Sequence, residues 1–246
     1  MAREIIIGCC GWSYFRPKEF SDKLVRPYGS TLQAYAQLFR AVEVNSTFYR
    51  IPQLATAERW HSEATQVNRR FLFTVKAYQA ITHVYRFGKR SIRFFESIRR
   101  VANSLFAPIV LFQSPASFKP GAANIKKMNG FLSQVERGKL LLAWEPRGRW
   151  FDQPDLIEEV SQAHKLIVCV DPFRNDPLFP SDRRNAYFRL HGFGKPSMYR
   201  YDFSRKELEE LGAVIKSLPP SVKRAYIFFN NVACYHNALE FARMVG

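Results

Sequence analysis

Eight short apolar runs recur along the chain at near-regular spacing, and this rhythm limits the possible folds more than any other feature. They are Ile5–Gly8, Ala41–Asn45, Phe71–Lys76, Pro108–Gln113, Leu140–Glu145, Leu166–Asp171, Ala186–His191 and Arg224–Asn230. Rich in Ile, Val, Leu and Phe, most are apolar on both sides of a period-two alternation, the mark of strands buried on both faces. Amphipathic segments of helical length separate most of them: Ser30–Arg40, Thr56–Val67, Ser91–Leu105, Asp152–Ala163, Ser204–Leu218 and His236–Val245. Three prolines in Pro172–Asn185 predict a short or missing helix between strands six and seven.

Eight strands alternating with about seven helices predict an α/β fold, a single (β/α)8 TIM-like barrel. The competing doubly wound open sheet usually carries a Gly-x-Gly-x-x-Gly turn or a Gly-Lys-Ser/Thr phosphate loop, and neither occurs here. No linker, repeat or low-complexity stretch interrupts the 246 residues, so one domain spanning 1–246 is expected.

In such a barrel, chemistry gathers at the carboxyl ends of the strands. The stretch VEVNSTFYR, Val42 to Arg50, illustrates why. Alternation places Val42 and Val44 on one side and Glu43 and Asn45 on the other. A buried carboxylate beside a buried amide is tolerable only when paired and hydrogen-bonded. The other strands end alike: Thr74 and Lys76, Gln113, Glu145 followed by Arg147, Asp171, Arg189 and His191, then Asn230 and Asn231. Glu43, Lys76, Glu145, Asp171 and His191 are the expected catalytic groups. An internal ion-pair network that only holds the barrel together is the competing reading for Glu43, Lys76 and Arg189.

The loops after these strands interleave rings with cations. Trp12, Tyr14, Tyr49, His83, Arg86 and Arg90 are expected to join Asn45, Gln113, Arg147, Arg189, Asn230 and Asn231 as substrate-binding residues. That mixture suits a phosphate backbone with bases stacked between rings. The formal charge of +16, from 37 Lys and Arg against 21 Asp and Glu, also calls for an anionic partner. Nucleic acid, RNA or DNA, is the leading expectation, and a phosphate-bearing small molecule is the next. No run approaches the roughly 20 apolar residues of a membrane span. The start, MAREIIIGCCGW, lacks the form of a secretory signal. The four cysteines form no Cys-x-x-Cys pair. A cytoplasmic protein with reduced thiols, not membrane-associated, is the expectation.

The leading function is nucleic-acid processing by phosphodiester cleavage. Glu145, Asp171 and His191 could hold one divalent ion, Mg²⁺ or Mn²⁺ rather than a zinc cluster, because only five histidines exist and His61 and His164 fall in helices away from the mouth. A metal-free site is the equal alternative. Two other functions remain open: a non-catalytic nucleic-acid-binding module, or an enzyme for a phosphorylated sugar-like anion with Lys76 or His191 as acid–base group.

Several segments carry a family resemblance: GCCGWSY, VEVNSTFYRIP, FTVKAYQAITH, VLFQSPASF, WEPRGRW, AYFRLHG and YIFFNN with a following HNA. In this order, over nearly the whole chain, they resemble the YecE-like family, domain of unknown function 72. The resemblance implies a barrel similar to those of xylose isomerase and endonuclease IV. Three positions depart from the family pattern. Cys9 and Cys10 fill the middle of a Gly-Thr-Ser-Gly-Trp-like start, Gly148 stands where a histidine is usual, and Val232 where an acidic residue is common.

Overall fold

The computed structural model describes residues 3–20, 25–180 and 183–246. Eight parallel strands close into a barrel in chain order: β1 Glu4–Cys9, β2 Ala41–Val44, β3 Leu72–Lys76, β4 Ile109–Gln113, β5 Leu141–Glu145, β6 Leu166–Val170, β7 Asn185–Leu190 and β8 Arg224–Phe229. The ring shuts where β1 pairs with β8 along its whole length, Glu4 opposite Arg224 through Cys9 opposite Phe229. Around it lie α1 Thr31–Leu38, α2 Leu54–Val67, α3 Ser91–Ser104, α4 Ala122–Leu132, α5 Pro154–His164, α6 Arg205–Ser217 and α7 Cys234–Val245.

Local chemistry sets the helix starts. The Ser30 hydroxyl accepts from the Gln33 amide at the head of α1, and Ser204 with Glu207 forms a reciprocal capping box on α6. Helix α4 had no counterpart in the sequence reading. Its segment AANIKKMNGFL carries a glycine and a weak apolar stripe, and only packing of Met128, Phe131 and Leu132 buries it. Between β6 and β7 the described residues contain no α-helix, as the prolines foretold.

Each strand shows two faces to two cores. The outer face, including Val42, Phe73, Phe112, Trp144, Phe188 and Phe229, packs under the helices. The inner face is apolar in the lower barrel, where Ile6, Ala41, Ile109, Leu111, Ala143, Ile167, Tyr226 and Phe228 fill the interior. One step further along the same period-two rows, the inner positions turn polar: Glu43, Lys76, Glu145 and Arg189 are all buried. The barrel is thus an apolar plug topped by a charged layer.

Glycine is required where β1 meets β2. A Cβ on Gly8 would stand 2.0 Å from the Ala41 carbonyl oxygen. Beside it, the Tyr35 hydroxyl donates to that carbonyl at 2.8 Å and accepts from the Cys9 amide at 2.9 Å. The phenol thereby ties α1 to both strands.

Candidate active site at the barrel mouth

The site is built on Arg189, which projects inward from β7 and is fully buried. Its Nε and Nη2 donate to the two carboxylate oxygens of Glu43 at 3.1 and 2.9 Å, a bidentate pair between β7 and β2. Its Nη1 reaches Glu145 on β5 at 2.6 Å. Tyr187, two residues earlier on the same inner row, donates to Glu43 at 2.8 Å and lies 2.9 Å from the Thr74 hydroxyl. Burial works against the Arg189 charge, yet Glu43 and Glu145 hold its pKa well above the ordinary value. Burial would raise Glu145, but Arg189 and Arg147 outweigh it and hold that carboxyl well below the usual range.

A second layer rests on this floor. Arg147, in the loop after β5, donates from Nε to Glu145 at 2.7 Å. Its Nη2 stands 2.8 Å from His191 Nε2. A guanidinium can only donate, so Nε2 must accept and the ring proton must sit on Nδ1. Nδ1 lies 3.3 Å from Asp171 Oδ2, which also accepts the His191 amide at 3.0 Å. Burial lowers the His191 pKa, partly offset by the Asp171 hydrogen bond, and the imidazole is held neutral. Gly192 follows in the left-handed region at φ +85°, and its carbonyl accepts from Arg174 at 2.5 Å. Arg174 also pairs with Asp171 at 3.7 Å.

Lys76, at the end of β3, completes the charged layer on the opposite side. Its ammonium lies 4.2 Å from the centre of the Phe48 ring, against which His83 stands edge-on. Burial, and then Arg189, pushes the Lys76 pKa down to about 8. His83 is lowered too, by burial and then by Lys76, Arg147 and Arg86. Above the layer, a cavity of about 430 Å³ is lined by Glu145, Arg147, Asp171, Arg174, Asn175 and His191, with Phe151 and Met198 as apolar walls.

The five expected catalytic residues therefore converge, with Arg147 and Arg189. The expected binding residues divide. Tyr14 and Tyr49 stand on the rim, 88% and 67% exposed. Arg86 touches the Ser117 hydroxyl at 3.4 Å and Arg90 faces the Tyr85 ring, both on the outer rim. Gln113 lies beside Glu145 in register, half-buried. Asn45 is half-buried, and its Oδ1 has no hydrogen-bond partner among the described residues. Asn230 is half-buried just past β8, with its amide bonded to the Leu190 carbonyl.

Two residues differ from expectation. Trp12 is half-buried against the outer core, edge-on to Trp60 of α2 at 5.1 Å. Asn231 donates to the Tyr201 carbonyl and to Asn237 Oδ1, both at 2.8 Å, while Asn237 holds Asp202 and Phe203. That amide chain ties the loop after β7 to α7. Sequence reading also missed participants: Tyr187 was findable from its place two residues before Arg189, whereas Arg174 lay hidden in the proline-rich connection.

The expected metal set does not fit. Glu145 gives one oxygen to Arg147 and the other to Arg189, and His191 Nε2 faces Arg147. The one lone pair of His191 Nε2 already points at a guanidinium, and an ion beside either Glu145 oxygen would face the charge of Arg147 or Arg189. Among the described residues, no group of three or more His, Cys, Asp and Glu is arranged to hold an ion. The departure at Gly148 has a local reason: φ is +68°, and a Cβ there would lie 3.0 Å from the Ala116 methyl, so a histidine would be strained.

A family model described as "Protein of unknown function DUF72" matches residues 6–246. The UPF0759 protein YunF of Bacillus subtilis is 29% identical, over 92% of this chain and 88% of its own length. A crystal structure of a DUF72 family protein from Thermotoga maritima superposes with a TM-score of 0.76 at 25% identity, covering 99% of both chains. D-Psicose 3-epimerase from Clostridium cellulolyticum H10 shares the fold alone, with a TM-score of 0.58, 10% identity and 98% of both chains covered. The described residues include no helix long and apolar enough to cross a membrane.

Proposed function

This chain belongs to the DUF72 family, and from that premise we propose that its barrel mouth binds and processes a nucleic-acid strand. One observation carries the reading. Among the described residues, six of the ten exposed large apolar side chains sit on loops leaving the carboxyl ends of the strands: Tyr14, Tyr49, Val84, Phe193, Tyr199 and Val232. Four of the six are rings, and exposed rings set among exposed arginines suit stacked bases beside a phosphate backbone. Arg147 and Arg174 line the cavity at the mouth, and one phosphate enters there. Cleavage at this place runs on the chain's own groups. His191 becomes the base once a phosphate draws Arg147 off Nε2, and Lys76 with the arginines offsets charge developing on the phosphoryl oxygens.

The test is binding of labelled single- and double-stranded DNA and RNA across a salt series. Affinity should fall steeply with salt, and Arg147→Ala and Arg174→Ala should each flatten the log–log slope by about one. Cleavage should persist in EDTA. Failure of every oligonucleotide to bind at low salt would refute the reading. A second reading, an enzyme for a small phosphorylated sugar-like anion, is favoured by the cavity itself: about 430 Å³ is the volume of a small-molecule site.

A further inference from the structure

We propose that Lys76 is a covalent catalyst, its amine condensing with an aldehyde or ketone carbonyl on a phosphate-bearing substrate to form an imine. The inference rests on the reading that the mouth takes such substrates, and it names which ones: those offering a carbonyl carbon within reach of the β3 end. Within a nucleic acid, the carbonyl with this character is the sugar aldehyde exposed where a base has been lost.

The argument begins with what Lys76 lacks. Leu72, Thr74 and Lys76 alternate along the inner row of β3, so the Lys76 side chain ends in the charged layer at the mouth, where it is 6% exposed. Buried ammonium groups are ordinarily paired. This one makes no hydrogen bond and no ion pair among the described residues. The two nearby carboxylates are committed elsewhere: Glu43 to Arg189 and Tyr187, Glu145 to Arg189 and Arg147. Its ammonium rests instead over the face of the Phe48 ring, 4.2 Å from the centroid.

A structural lysine would be placed beside a free carboxylate. Here the carboxylates are neutralised by guanidiniums, and Arg189 adds a repelling cation to the cost of burial. An apolar wall and a fixed neighbouring cation are the two devices that leave a lysine amine neutral and nucleophilic. The charged and titratable groups facing it are Cys10 after β1, Glu43 on β2, Glu145 on β5, Arg189 on β7 and His83 in the loop after β3. Together they leave the amine half-deprotonated near pH 8.

The step balances without an external oxidant or reductant. The neutral amine's lone pair forms the C–N bond while the carbonyl π pair moves to oxygen. One amine proton passes to that oxygen, giving a carbinolamine. A second proton, from solvent, lets the oxygen leave as water, and the nitrogen keeps one hydrogen as a protonated imine. Arg147 and Arg174, across the mouth, hold the substrate's phosphate meanwhile.

Borohydride trapping tests this. The whole chain is incubated with an oligonucleotide carrying one abasic aldehyde, with the undamaged oligonucleotide, or with glyceraldehyde 3-phosphate. Sodium borohydride is then added, and intact mass and peptide mapping locate any reduced adduct. The expected result is an adduct on Lys76 in at least one aldehyde arm, with yield rising as pH passes 8. Lys76→Arg and Lys76→Met should lower that yield at least tenfold. Trapping with the abasic strand alone assigns a nucleic-acid source, and trapping with the small aldehyde alone assigns a small-molecule one. Adducts confined to surface lysines, or no adduct in either arm, would overturn the proposal. Should the variants fail to fold, the peptide map of the unaltered chain decides. Binding of the undamaged strand reads the nucleic-acid function separately, so a strand that binds while no aldehyde is trapped removes only the imine.

Discussion

Arg189→Met is the most informative perturbation of the barrel. The arginine donates to both oxygens of Glu43 and to one of Glu145, from a position with no exposed surface. Methionine keeps much of the volume and leaves two carboxylates in the barrel facing no partner on that side. Breaking a buried pair by removing one member costs about 3–5 kcal/mol, because the surviving charge is uncompensated. For a chain this long each kcal/mol lowers Tm by about 2–4 °C, so Tm should drop by about 6–20 °C. Thermal and urea unfolding of the variant, with Glu43→Gln and the double variant, measure it. The double variant should lose less than the sum of the singles, since the two residues share one interaction. The acid limb should respond as well. Glu145 is held well below its ordinary range chiefly by Arg189. A depressed carboxyl contributes stability that is fully present above its unfolded pKa, near 4.3, and is lost as pH falls toward the folded value. Without Arg189 that folded value rises, and the contribution at neutral pH shrinks. A change within about 1 kcal/mol at pH 7 would refute the reasoning, since it would mean that the carboxylates are solvated and the layer is not a sealed network.

Three further outcomes are expected. Tyr14→Ala and Tyr49→Ala should each weaken single-strand binding by about 1–3 kcal/mol, as loss of a base-stacking ring does, and leave Tm unchanged; anisotropy titrations and melting curves check this. Lys76→Met should stabilise the fold at pH 7 by about 3 kcal/mol, the equivalent of lowering the lysine pKa from 10.5 to about 8. Because the folded value lies below the unfolded one, the penalty is complete below pH 8 and vanishes above about 10.4, so urea midpoints of variant and parent should converge at high pH. Gly192→Ala should destabilise by about 1–3 kcal/mol or more, since φ is +85° and the new Cβ would stand 2.3 Å from Tyr201 Cβ; urea unfolding reads it.

The strands and most helices were legible because their signals are local. A strand covered on both faces must be apolar on both, and an outer helix must carry a stripe. Ala122–Leu132 escaped because its stripe is weak and Gly130 breaks it, so tertiary packing decides that segment. At the site, period-two alternation sufficed to send Glu43, Lys76, Glu145 and Arg189 inward. It could not distinguish which charge meets which. Asn231 and Trp12 read as mouth residues by position, yet one bonds to Tyr201 and Asn237 and the other packs on Trp60. Loop residues are aimed by long-range contacts that leave no periodic trace.

The sequence by itself determined the closed barrel, the family membership carried by its motifs, and the gathering of acids, amides and cations at one end. The barrel and that gathering follow from alternation and spacing along a single chain, and the family from the resemblance of its motifs. Only the tertiary structure decided that the carboxylates are spent on arginines, that the imidazole is neutral between Asp171 and Arg147, and that Lys76 has no hydrogen-bond or ion-pair partner among the described residues. Those outcomes depend on distances between side chains from different strands, and competition among several cations for the same few oxygens is settled only when all of them are placed at once.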